Sequence, residues 1–175
     1  MRRATALVVA ALMGLSFTTS AFAQSPPNRI VSGWIPYWMS SQGKPQGINT
    51  ATANSDLFVD VSPFWYSATK GGPNGVKVGF NRNYGNAAAN SSWAVGQLRA
   101  AGIPVIPAIA DASGKNTMAR VLADPVTRSA HVVDIVNLVM SNNYDGIDLD
   151  YETFAFSDGS ASWDATQPNW TAFVQ

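Results

Sequence analysis

Four carboxylates fall within eight residues of one short stretch, which reads YDGIDLDYE at 144–152. They are Asp145, Asp148, Asp150 and Glu152. The last of these is the only glutamate in the chain. Ile147, Leu149 and Tyr151 are interleaved with the acids, and this alternation predicts a β-strand.

On such a strand, Gly146, Asp148, Asp150 and Glu152 share one face, with about 6.6 Å between successive members. The other face is mostly apolar and can pack on helices. Carboxylates this close cannot all ionise in a poorly solvated site, so at least one pKa rises. A carboxylic acid that stays protonated near neutral pH can act as a general acid, which glycosidic bond cleavage requires.

Two other interpretations of the acids are a solvated strand face and a site for a hard cation such as Mg²⁺ or Ca²⁺. A solvated face would not normally repeat acids at period two beside an apolar face. The calcium-loop spacing D-x-[DN]-x-[DN]-G is also absent. We therefore favour catalysis and expect neither a metal nor another cofactor.

The pattern Asp145-x-x-Asp148-x-Asp150-x-Glu152 resembles the D-x-x-D-x-D-x-E signature of family 18 glycoside hydrolases, the chitinase-like enzymes. The resemblance implies a (β/α)8 barrel with this motif on the fourth strand. It implies that Glu152 is the acid, that Asp150 orients the acetamido group of the substrate, and that Asp148 supports Asp150. Asp145 and Gly146 complete the motif as structural members.

The implied reaction is retaining and substrate-assisted, so the acetamido carbonyl attacks the anomeric carbon and no enzyme nucleophile is needed. The implied substrate is a β-linked N-acetylglucosamine polymer, either chitin or peptidoglycan glycan. The alternatives are a non-hydrolytic, lectin-like carbohydrate-binding protein on the same fold, against which the intact Glu152 argues, and an inactive fragment.

Shorter patterns concern the branch of the family. GWIPYW at 33–38 and SPFWY at 62–66 resemble the bacterial branch that includes spore-cortex and other wall-associated members. The S-x-G-G pattern that the family often carries on its third strand is absent, because its positions fall on Ala108, Ala110 and Asp111.

Residues 1–23 are typical of a secretory signal peptide. Arg2 and Arg3 precede an apolar run, and the A-x-A site at 21–23 predicts cleavage after Ala23. We expect a secreted, periplasmic or cell-wall-associated protein. Removal of the two arginines leaves 9 basic and 11 acidic residues, so nothing favours nucleic acid as a partner, and no second apolar segment favours a membrane. The chain has no cysteine, so its core must hold it together.

Strands alternate with helices, which is typical of an α/β protein with a parallel sheet. We predict strands at 30–38, 56–64, 103–110 and 144–152, a hairpin strand at 76–80, and helices at 90–101, 125–141 and from 166 onward. With the resemblance, this order implies the first four β/α units of a TIM barrel, which takes about 250 residues when complete. We therefore expect residues 24–175 to be the N-terminal half of a catalytic barrel, inactive alone and monomeric when full length.

Aromatic residues follow the first two predicted strands at their C-terminal ends, where barrel enzymes place their active sites. They are Tyr37, Trp38, Trp65 and Tyr66. Because aromatic faces suit pyranose rings, we expect these residues to bind the polysaccharide substrate.

Two further titratable residues are assigned structural roles. Asp60 lies on the second predicted strand, and we expect it to be buried and hydrogen-bonded because an unpaired buried carboxylate is costly. His131, the only histidine, lies on the helix opened by Asp124-Pro125. We expect it to be a structural or surface residue and not a catalytic base, which leaves a Ser-His-Asp triad and a histidine-based zinc site without support.

Overall fold

The structure is a computed structural model that describes residues 31–175, except for the side chain of Ala155. The predicted signal segment and the first residue of the first predicted strand lie outside this range. The strands are β1 (Val31–Pro36), β2 (Phe58–Lys70), β3 (Val76–Phe80), β4 (Ala108–Ala112) and β5 (Asp148–Asp150). The helices are α1 (Gln46–Ala53), α2 (Ala87–Ala100), α3 (Thr117–Ala123), α4 (Pro125–Ser141), α5 (Thr153–Phe156) and α6 (Trp163–Val174).

The five strands form one sheet in which β1, β2, β4 and β5 are parallel neighbours in that order. β3 pairs antiparallel with β2 as a hairpin. At least one helix lies in the chain between each successive pair of parallel strands. The predicted α/β class with a parallel sheet is confirmed, whereas closure into a barrel remains a prediction.

The two faces of the sheet differ in chemistry. Val61, Ile109 and Leu149 belong to one face, which we call the outer face, and they pack with helix residues in the hydrophobic core. The opposite face, the inner face, carries short or polar side chains around the acids, with Ala108 beside Asp148 and Ala110 beside Asp150. Towards β1 it carries Ser32 beside Asp60 and the larger rings of Trp34 and Phe64.

Two prolines delay the start of β4. Pro104 and Pro107 lack the N–H that a ladder needs, and before Ala108 only a single bridge, between Val61 and Val105, joins the segment to β2. The pairing with β2 is therefore interrupted over the first half of the predicted strand at 103–110. Regular β4 consequently occupies only Ala108–Ala112, and the small Ala108 and Ala110 lie next to the acids of β5.

The ends of the helices agree less well with the sequence pattern. Asp124 caps α4 as predicted, since its Oδ1 accepts hydrogen bonds from Val126 N at 2.7 Å and Thr127 N at 3.4 Å. Helix α3 was not predicted, because seven residues are too few for a clear helical period. Helix α6 begins at Trp163, earlier than predicted, with Pro168 inside it.

No helix within residues 31–175 is long and apolar enough to cross a membrane.

Candidate functional site

Asp148 and Asp150 lie on the inner face of β5, as the alternation predicted. They pair in register with Ala108 and Ala110 of β4, and both are partly exposed. Leu149 and Ile147 pack against the core on the outer side. The small side chains of the two alanines leave the carboxylates open space on the inner face.

The predicted strand at 144–152 is too long, and the position of Glu152 needs correction. Regular strand structure ends at Asp150, and Glu152 has helical backbone angles (φ −85°, ψ −26°) immediately before α5. The carbonyl of Asp111, which follows the part of β4 that pairs with β5, accepts a hydrogen bond from Thr153 Oγ1 at 2.7 Å. The chain therefore leaves the sheet here, and Glu152 is exposed beyond the end of the strand.

Asp148 is anchored from across the sheet. Its Oδ2 accepts a hydrogen bond from Ser62 Oγ at 2.7 Å, and Ser62 is 3% exposed. Ser62 on β2 and Asp148 on β5 are separated by β4, whose residue in register with Asp148 is the small Ala108. Ser62 was not predicted as a member of the site, although the alternation along β2 could have identified it.

Asp150 is the acid whose environment is most perturbed. Burial raises the pKa of its carboxyl, and the negative charges of Glu152 and then Asp148 raise it further. The expectation that at least one acid of the group has a raised pKa is therefore met at Asp150. The charge of Glu152 thus acts on Asp150, although Glu152 lies outside the regular strand.

Asp145 and Gly146 have local structural roles. Asp145 accepts a hydrogen bond from Val105 N at 2.8 Å through Oδ2, and its own N–H bonds to Val105 O at 3.0 Å. A Cβ on Gly146 would lie 3.0 Å from Cγ2 of Ile106, closer than a comfortable contact. Both residues therefore fix the start of the acid stretch against the neighbouring segment.

Four aromatic rings form a row that begins on the inner face with Trp34 and Phe64 and continues beyond the end of β1. The ring of Trp34 lies 4.9 Å from that of Phe64, which is 6.3 Å from Tyr37, and Tyr37 meets Trp38 edge to face at 4.9 Å. Trp34 and Trp38 are 55% and 54% exposed. We call these four rings the aromatic track. Trp34 and Phe64 were missed in the sequence, although period-two alternation places them on the face that carries Ser32 and Ser62.

The predicted sugar-binding role of Trp65 and Tyr66 is wrong. Their exposures are 0% and 1%, so neither ring offers a face to a ligand. Trp65 Nε1 donates to Ser40 Oγ at 2.9 Å, and the hydroxyl of Tyr66 bonds that of Tyr144 at 2.7 Å. β2 extends to Lys70, so these residues lie within the strand rather than beyond its end.

A cavity of about 320 Å³ lies at the end of the aromatic track that Tyr37 and Trp38 form. Tyr37 and Trp38 form part of its wall, and Lys44 and Asn83 bring polar groups to it. This combination of aromatic faces and polar side chains is typical of sites that bind sugars.

His131 and Asp60 both make structural contacts, although Asp60 is only partly buried and not buried as expected. His131 is fully buried, and its Nε2 bonds the hydroxyl of Tyr151 at 2.7 Å. Burial lowers the pKa of the imidazole, against an opposing effect of Asp134. Asp60 is partly buried and accepts a hydrogen bond from Ser32 Oγ. Within residues 31–175, no group of three or more acidic or histidine side chains is placed to hold a metal ion.

No protein-family model matches the sequence, and no curated protein gives a significant match. Solved structures do match. The C-terminal domain of a chitinase candidate from Desulfitobacterium hafniense has a TM-score of 0.61 at 22% identity, over 82% of this chain and 40% of that one. The spore cortex-lytic enzyme SleL of Bacillus megaterium has a TM-score of 0.56 at 16% identity, over 86% of this chain and 32% of that one.

A family GH18 chitinase from Cycas revoluta, solved with allosamidin, has a TM-score of 0.53 at 19% identity, over 82% of this chain and 38% of that one. The chain thus spans about two fifths or less of the length of these three structures. Over that length, this chain has the fold of chitinases and spore cortex-lytic enzymes.

Proposed function

We propose that this chain carries the acid group of a family 18 glycoside hydrolase that cleaves β-linked N-acetylglucosamine polymers. The observation that carries the proposal is the group of Asp148, Asp150 and Glu152, in which burial and the two neighbouring charges raise the pKa of Asp150. The group lies at the C-terminal end of a parallel strand, which is where α/β enzymes bind their substrates.

In this proposal, Glu152 protonates the glycosidic oxygen and later deprotonates the incoming water. Its exposed side chain and its place beyond the strand end suit a group that must reach a ligand. The acetamido carbonyl of the substrate attacks the anomeric carbon, so a second enzyme carboxylate is not needed as nucleophile.

Asp150 holds and polarises the acetamido group. A raised pKa suits this role, because the carboxyl can share a proton with the acetamido nitrogen or with Glu152 as charge develops on the substrate. Asp148 limits the freedom of Asp150 from the deeper position, where its bond to Ser62 keeps it in place.

The aromatic track extends the proposed cleft away from the acids. The exposed rings of Trp34 and Trp38 can pack on pyranose faces, and the polar groups of Lys44 and Asn83 in the cavity beside Trp38 can bond sugar hydroxyls. The substrate is therefore a polysaccharide, with chitin and peptidoglycan glycan as the two candidates. The finer fold proposal is that the four parallel strands are consecutive strands of a (β/α)8 barrel, and that residues 1–23 direct export.

Substitution of Glu152 by Gln tests the proposal in the complete natural protein. Glu152→Gln keeps the shape but removes the proton donor, and we expect hydrolysis of a β-N-acetylglucosaminide to fall by about 10²–10⁴-fold. Binding of the oligosaccharide, measured by calorimetry, should persist.

Asp164→Asn is the matched control, since it also neutralises an exposed acid but lies on α6, outside the acid group. Equal activity of wild type and Glu152→Gln would remove Glu152 from the mechanism. Binding by the wild type without any hydrolysis would indicate a lectin-like protein.

A further inference from the structure

Three buried rings pack together behind the acid group. The rings of His131, Tyr151 and Phe173 lie with centroids 5.6 to 6.0 Å apart and planes within 22° of parallel. They belong to three different segments, namely α4, the residue before Glu152, and α6. The side chain next to Glu152 is therefore held by contacts between helices and the end of the sheet.

A hydrogen bond joins two of the three rings, those of His131 and Tyr151. His131 Nε2 and the Tyr151 hydroxyl are 2.7 Å apart, and the two residues are 0% and 5% exposed. His131 Nδ1 is buried and has no hydrogen-bond partner within the described part of the chain. An apolar side chain could fill this space without an unpaired ring nitrogen, but it would leave the buried Tyr151 hydroxyl without its partner. The bond to Tyr151, and not packing alone, therefore accounts for a histidine here.

The position of Tyr151 gives this bond its importance. Tyr151 lies between Asp150 and Glu152, where the backbone has left the ladder of β5. On the other side of Glu152, Thr153 Oγ1 donates to Asp111 O at 2.7 Å. The Glu152 side chain is exposed, whereas the residues before and after it are each tied down by one side-chain hydrogen bond.

We propose that His131 is a positioning residue, whose bond to Tyr151 fixes the backbone that presents Asp150 and Glu152. Its consequence for hydrolysis rests on the proposed function. Tyr151 directly joins Asp150 and Glu152 in the chain, so a displacement of Tyr151 would move the backbone that carries both acids. A shift of about 1 Å in a catalytic group can reduce the rate by about 10²-fold.

The groups around the pair keep the bond between neutral partners. Burial lowers the pKa of His131, while Asp134 on the same helix acts in the opposite direction. Burial raises the pKa of Tyr151, and the charge of Asp111 on β4 raises it further. Near neutral pH, one ring nitrogen of a neutral His131 is therefore always satisfied by the hydroxyl, whichever tautomer is present.

The test compares two buried tyrosine hydroxyls at opposite ends of the acid stretch. Tyr151→Phe removes the bond to His131, whereas Tyr144→Phe removes the bond between Tyr144 and Tyr66, which has the same length of 2.7 Å. We expect Tyr151→Phe to lower kcat about 10- to 100-fold with a smaller change in KM. Tyr144→Phe should lose stability without that loss of kcat.

Two variants of His131 sharpen the test. His131→Gln can place an amide group near the position of Nε2, whereas His131→Phe fills the space without a polar atom. We expect His131→Gln to retain more of the kcat than His131→Phe at temperatures where both are folded. Equal kcat for the two variants, or equal losses in Tyr151→Phe and Tyr144→Phe, would overturn the positioning role.

A second measurement does not depend on hydrolysis. Carbon-detected NMR can follow the titration of the Asp150 carboxyl, whose pKa depends on its burial and on Glu152. Tyr151→Phe should move this titration and Tyr144→Phe should leave it in place. If the wild type cleaves no glycan but the titration moves, the positioning role stands and the proposed function fails. An unmoved titration would contradict the positioning role.

Discussion

The two ends of the acid stretch are held in different ways. At the start, Asp145 exchanges hydrogen bonds with the backbone of Val105, and Gly146 lies tightly against Ile106. At the end, the backbone leaves the sheet, and side-chain bonds at Tyr151 and Thr153 take over. Acids of the same motif thus have unlike roles, because the Asp145 carboxylate bonds the backbone of a neighbouring segment, whereas Glu152 lies exposed beyond the end of the strand.

The start and the end of the acid stretch are therefore expected to matter for different properties of the protein. The Asp145 carboxylate holds the backbone of Val105 through Oδ2, whereas Glu152 lies beyond the end of the strand beside Asp150. We therefore expect changes at the end of the stretch to affect hydrolysis, and changes at its start to affect the free energy of unfolding.

Asp150→Asn should have the largest effect of the further substitutions. Loss of the charge that polarises the acetamido group should lower kcat by about 10²-fold, as for removal of one electrostatic stabiliser in other enzymes. Michaelis–Menten kinetics on a chromogenic N-acetylglucosaminide would measure it. A kcat within a factor of two of wild type would exclude this role for Asp150.

The same variant should change stability in the opposite direction. Because burial and neighbouring charges raise the folded-state pKa of Asp150, the folded protein loses stability as pH rises through that pKa. Asn carries no charge, so Asp150→Asn should have a higher Tm than wild type near pH 7. The difference should disappear below the usual aspartate pKa of 3.8, where both states are protonated. A constant Tm difference across this range would contradict the raised pKa.

Gly146→Ala should destabilise the protein without a specific loss of catalysis. The added Cβ would meet Ile106 Cγ2 at 3.0 Å, and such overpacking costs about 1–3 kcal/mol. Gly96→Ala is the matched control, because a Cβ on Gly96 within α2 meets nothing within 4 Å and should stabilise the helix by about 1 kcal/mol. Denaturant unfolding would measure both. Equal stability of the two variants would show that the segment can relax around Gly146.

Arg99→Gln should have the smallest effect. Arg99 forms an ion pair with Asp145 at 4.0 Å, and the two side chains are 36% and 46% exposed. Exposed pairs of this kind contribute about 0.2–1 kcal/mol, and salt screens them. The loss should therefore shrink at high salt, and kcat should not change. A loss of kcat would mean that the start of the stretch takes part in catalysis.

The sequence alone determined the local features of this protein. Side-chain alternation placed Asp148 and Asp150 on one face of a strand and Leu149 on the other, because that period follows from the geometry of an extended backbone. Asp124 and Pro125 predicted the start of α4, since capping depends on neighbouring residues only. The resemblance carried by the acid spacing also predicted a fold that the solved structures share.

Only the tertiary structure decided where the strand ends and which aromatic rings are exposed. β5 stops at Asp150, and the residues that follow it bond elsewhere, Tyr151 to His131 and Thr153 to the carbonyl of Asp111. Trp65 is buried and Trp38 is exposed, although both were predicted at strand ends. Such outcomes depend on contacts between residues far apart in the chain, and neither alternation nor composition along one segment contains them.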